Sequence, residues 1–100
     1  MEIIKKLSKQ IEEEMDDAEK YIRCAHKMKE EYPRLAETYY KLSLEEMNHM
    51  MMLHDQVVAI INEYKKDHEV PPGMQAIYDY LHERHIEKAA EIKAWQDTYK

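Results

Sequence analysis

Glu46 and His49 lie three residues apart, as Glu46-Met-Asn-His49, and on a helix that spacing brings a carboxylate and an imidazole to the same side within one turn. Both can then reach a single ion, and oxygen with imidazole nitrogen suits iron, manganese or zinc. The spacing alone carries little. With 21 acidic residues and six histidines in 100 positions, about one such pair arises by chance, and the chain holds two, Glu46/His49 and Asp79/His82. Their surroundings separate them. Glu46 and His49 interrupt a lane that otherwise reads Leu35, Tyr39, Leu42, Leu53, Gln56 and Ile60, and Glu14 alone interrupts a lane of Ile4, Leu7, Ile11, Ala18, Tyr21, Ala25, Met28 and Tyr32. Both lanes advance by three and four residues, the period of one helical face. An unpaired polar group buried in such a face costs ~2–7 kcal/mol, so the three residues predict a polar site that a partner or a metal compensates.

Three helices must position these groups. The chain breaks at Tyr32-Pro33, where Pro fits the first turn of a new helix, and at Val70-Pro71-Pro72-Gly73, which cannot continue one. Helices are expected at about 3–31, 33–67 and 73–98. The first two would reach ~40–50 Å, a length typical of bundles and coiled coils. The second helix has another apolar lane beside the first, through Ala36, Tyr40, Met47, Met50, Val57, Ile61 and Tyr64, so it must touch more than one neighbour. The third shows Met74, Tyr78, Leu81, His85, Ala89, Ile92, Trp95 and Tyr99 as its core face. Short connections make successive helices antiparallel. Glu14 and Glu46 then stand at similar distances, ~20–30 Å, from the shared corner and meet at one level. The fold class is all-α: one domain, a long antiparallel hairpin plus a third helix.

Composition removes several function classes. A net charge of −6 with no basic cluster beyond Lys65-Lys66 speaks against nucleic acid. Cys24 is the only cysteine, which excludes an internal disulfide and a four-cysteine metal site and suits a reducing cytoplasm. The first ten residues lack a signal-peptide core and no run approaches membrane-spanning length, so a soluble cytoplasmic protein is expected, with no membrane partner. A domain this small buries little on its own, which favours a homodimer or higher homo-oligomer. There is no Gly-rich phosphate loop, and Ser8 and Ser43 have no evident activating base.

The stretch from Glu14 to His54 resembles the first helical hairpin of ferritin-like proteins, most closely the rubrerythrin type. The resemblance rests on Glu14, Ala18, Tyr21 and Ala25 on one helix, the Tyr32-Pro33 turn, and Ala36, Tyr39, Leu42, Glu46 and His49 on the next. It implies half of a di-iron carboxylate site, with Glu14 a terminal or bridging ligand, Glu46 bridging and His49 terminal. It also implies chemistry of iron with oxygen or peroxide. Manganese or zinc would be alternative occupants.

The chain departs from that pattern in having no second Glu-x-x-His, only Asp79-Tyr-Leu-His82 and His82-Glu-Arg-His85, and no cysteine pairs for a further iron. Two completions are open. A two-fold axis would bring Glu14, Glu46 and His49 from two protomers together, giving four carboxylates and two imidazoles in a ferritin-like bundle. Alternatively the third helix would add His82 or His85 within one protomer. Asp17, one turn beyond Glu14, is a candidate extra ligand or an acceptor for an imidazole N–H. Met47, Met50, Met51 and Met52 point in different directions and read as core filling. The competing function is a metal-free helical assembly protein in which Glu14, Glu46 and His49 form a buried cluster that fixes register.

Overall fold

Pro33 begins a helix at the cost of no hydrogen bond, because a first-turn N–H has no partner within the helix. It also forces Tyr32 out of the helical region, to φ −132° and ψ 70°, which ends the preceding helix. The corner is closed by the Tyr32 N–H donating to the Met28 carbonyl at 2.8 Å and the Ala36 N–H donating to the Tyr32 carbonyl at 2.9 Å. The computed structural model, which describes residues 1–99, has three helices: α1 (Glu2–Met28), α2 (Pro33–Lys65) and α3 (Pro72–Tyr99). The all-α expectation holds, with boundaries two or three residues inside the predicted ends of α1 and α2. Its longest dimension is 56 Å against 18 and 17 Å across. Among the described residues no helix is long and apolar enough to cross a membrane.

Small side chains set the spacing of α1 and α2. Ala18 and Ala25 on α1 and Ala36 and Ser43 on α2 are completely buried. These residues recur every seven positions and let the two backbones approach closely. Toward the open end larger residues take over, with Ile11, Met15 and Met50 in one cluster that Ile92 of α3 completes. Nearer the corner, Ile22, Ala25 and Ala36 enclose Tyr99. Tyr99 also stacks on Tyr40 with centroids 4.8 Å apart.

α3 lies mainly along α1. Every buried residue it has lies from His85 onward: His85, Ile92, Gln96 and Tyr99. Gln96 Nε2 donates to Ser43 Oγ at 2.9 Å, and His26 Nε2 donates to the Trp95 carbonyl at 2.7 Å. Lys88 pairs with Asp16 and Glu19.

Two sequence expectations need correction. The buried stripe of α1 runs through Ile4, Ser8, Ile11, Met15, Ala18, Ile22 and Ala25. Leu7, Glu14, Tyr21 and Met28, expected to share the buried face, lie half-buried along its edge. The cause is α3, which covers the other flank of α1 and draws Ser8, Met15 and Ile22 inward. On α3 itself, Gln96 takes the core position expected for Trp95, which stays 37% exposed beneath the Arg23 guanidinium.

Candidate metal centre

The register that seats Ala18 against Ser43 also fixes the residues one turn away on each helix. Glu14 is four residues before Ala18 and Glu46 three residues after Ser43, and in an antiparallel pair those displacements run the same way. The result is convergence. One ligand atom each from Glu14, Glu46 and His49 lie within 4.8 Å of one another, the only such group among the described residues. His49 Nδ1 is 3.6 Å from Glu14 Oε2 and 3.8 Å from Glu46 Oε2.

These separations exceed a hydrogen bond but suit ligands around one ion, which at ~2.1 Å bond lengths stand ~3–3.5 Å apart. The electrostatics agree. The Glu46 carboxyl is pushed up to about 7, first by its hydrogen bond with Glu14, then by burial and by the Glu14 charge, with His49 opposing and Asp17 adding a smaller push. Two carboxylates held this close share a proton unless a cation replaces it. The donor set therefore fits a divalent cation.

The site is more open than the sequence suggests. The Glu46 side chain is 18% exposed, Glu14 29% and His49 52%. The premise that all three are buried is corrected: among the described residues nothing covers the outer edge of the hairpin, where Leu35 is also exposed and Tyr21 and Tyr39 stack at 6.1 Å, half-buried. Asp17 is exposed and close enough to act on Glu46 through its charge, yet it is not in the converging group.

His82 and His85 lie elsewhere. His82 stacks on His54 with centroids 5.2 Å apart, and His85 faces Glu12, with Nε2 3.6 Å from its Oε1. Completion of the triad by α3 within one protomer is therefore not the arrangement found. α3 occupies the groove on the other side of α1, which Glu12, Asp16 and Glu19 line. Glu12 reads from sequence as one of several charged-face acids, and no spacing signal on α1 could have linked it to a histidine 73 positions away. Compared with family models, with curated proteins and with solved structures, the chain matches none.

Proposed function

We propose that the chain is a metal-binding protein of the di-iron carboxylate kind, carrying half a site on its α1–α2 hairpin and completing it with a second copy. The observation that carries this is the convergence of Glu14, Glu46 and His49 within 4.8 Å. Three donors leave the coordination of iron or manganese incomplete, and a two-fold copy doubles them to four carboxylates and two imidazoles, the inventory of ferritin-like sites. The half-buried lane around the triad, with Leu7, Tyr21, Tyr39, Leu42 and Leu53, is the surface such a copy would cover.

When bound, iron in such a site supplies one-electron oxidation coupled to reduction of oxygen or peroxide. The chain's own residues bind and manage protons. Glu46 holds a proton against Glu14 in the free protein and releases it on metal binding, and His49 adds a neutral donor that limits the anionic charge. The covering protomer would exclude water from the carboxylates.

Anaerobic titration with iron(II), read beside the mass of the assembly, tests the proposal. One iron per chain in a dimer or larger assembly is expected, and Glu46→Ala should abolish binding while leaving helicity intact. No bound iron at micromolar concentrations would sink it.

The closeness of Glu46, Glu14 and His49 also favours a second reading, a metal-free assembly protein in which the triad is a register-fixing cluster. Ser43 and Gln96 already fix that register in the core. Under this reading Glu46→Leu would stabilise the assembly, since well-packed apolar groups often replace a buried polar cluster favourably.

A further inference from the structure

His85 is a buried polar residue that the hairpin site does not use. Its side chain is only 9% exposed, and its Nε2 is buried with no hydrogen-bond partner among the described residues. It sits between two spaces. On one side is a cavity of about 130 Å³ walled in part by Ser8, His54, Tyr78 and the His82 ring stacked on His54. On the other is a polar groove between α1 and α3, lined by Glu12, Asp16, Glu19, Glu87 and Glu91 with Arg84 and Lys88.

A buried nitrogen without a partner forfeits its hydration with nothing in return, so its position calls for an occupant. Glu12 Oε1 stands 3.6 Å from it. That is too far for a hydrogen bond and close to the ~3.4 Å between two ligands on one tetrahedral ion with bonds of ~2.1 Å. Burial pushes the imidazole below its ordinary value, reinforced by the His54 and Arg84 charges and opposed by Glu12. Of the other groove acids, Asp16 and Glu19 pair with Lys88, and Glu19 also pairs with Arg23, while Glu87 and Glu91 are farther along the groove wall on α3 itself. Glu12 has no such cation, being matched only with His85 among the described ion pairs.

We propose that His85 and Glu12 anchor a second cation site at the α1–α3 groove, taking a borderline transition-metal dication of the zinc(II) type with water filling its remaining positions. One imidazole and one carboxylate are too few and too mixed for calcium or magnesium, which take oxygen ligands, and they suit zinc(II). The acidic groove wall supplies the field that gathers a dication. The site is independent of Glu14, Glu46 and His49, which open on the other side of the hairpin.

The test uses the full chain with the first site removed, E46A/H49A, titrated calorimetrically with zinc(II). One zinc(II) per chain at micromolar to tens-of-micromolar affinity is expected, lost at least tenfold in H85Q and weakened about tenfold in E12Q, each made in that background. Zinc(II) binding unchanged by H85Q would assign it to surface histidines and overturn the proposal, as would no binding up to 100 µM, roughly the weakest useful affinity for so small a ligand set. If H85Q does not fold, nitrogen-15 resonances of the histidine side chains in E46A/H49A decide. Zinc(II) must shift the His85 Nε2 signal into the ligated range, and an unmoved signal would equally refute the site.

Discussion

Ser43 Oγ donates to the carbonyl oxygen of Ala18 at 2.7 Å, across the α1–α2 seam. Both residues are completely buried, and Ser43 also accepts from Gln96 Nε2 at 2.9 Å, so one hydroxyl ties three helices at one level. Glu14 and Glu46 are each a single turn away. A core hydrogen bond thus determines how two carboxylates at the edge face each other.

Ser43→Ala should destabilise the protein by ~1–3 kcal/mol, because Gln96 Nε2 loses its acceptor inside the core. Urea denaturation measures this. If Ser43 sets the register of the triad, iron(II) affinity should fall as well, whereas Thr38→Ala, at an exposed hydroxyl bonded within its own turn, should change neither.

The proton between Glu46 and Glu14 makes metal-free stability depend on pH in an unusual direction for a carboxylate. Glu46 titrates near 4.5 in the unfolded chain and near 7 in the folded one, so between those values the folded state holds the extra proton. Its contribution is complete below about 4.5 and is lost as pH rises through 7. Glu46→Gln should remove that slope in urea midpoints measured from pH 4.5 to 8. Iron(II) affinity in the native protein should rise over the same interval, because the metal displaces the proton.

His85 acts in the opposite sense. Its folded value lies below the ordinary 6.5, so the unfolded chain binds the extra proton and the stabilisation present above 6.5 disappears as pH falls. His85→Gln should flatten the acid side of the stability profile while Glu46→Gln flattens the neutral side. A double variant should show the two effects adding, since the groups lie on different flanks of α1.

Tyr99 is the anchor of α3 at the corner: 5% exposed, stacked on Tyr40, with the Lys29 ammonium bonded to its carbonyl. Tyr99→Ala should cost ~3–5 kcal/mol, in line with aromatic truncation in cores. Tryptophan fluorescence would follow the change, because Trp95 sits one turn before it against His26.

Helix number, the two breaks and the meeting of Glu14 with Glu46 and His49 were legible because each depends on local chemistry or on counting residues from a proline turn. Which flank of α1 becomes core was not. That depends on where α3 docks, and α3 shows little facial bias: Ile77, Tyr80 and Ile86 are exposed while Gln96 and His85 are buried. Trp95 and Gln96 are adjacent, and hydrophobicity favours the wrong one. Only the presence of Ser43 opposite, a hydroxyl needing a donor, explains why an amide is drawn in. The pairing of Glu12 with His85 was hidden for the same reason, since it exists only once α3 has settled in its groove.

The uneven burial of α3 has a consequence for motion. No residue between Pro72 and Arg84 is fully buried, while the four that are lie from His85 onward. Amide hydrogens in that first half should exchange with deuterium through small local openings, well before those around Ala18 and Ser43, which require global unfolding. The amino terminus rests on this loose half, its ammonium donating to Tyr78 Oη at 3.1 Å, so the chain start and the α3 start should open together as one unit.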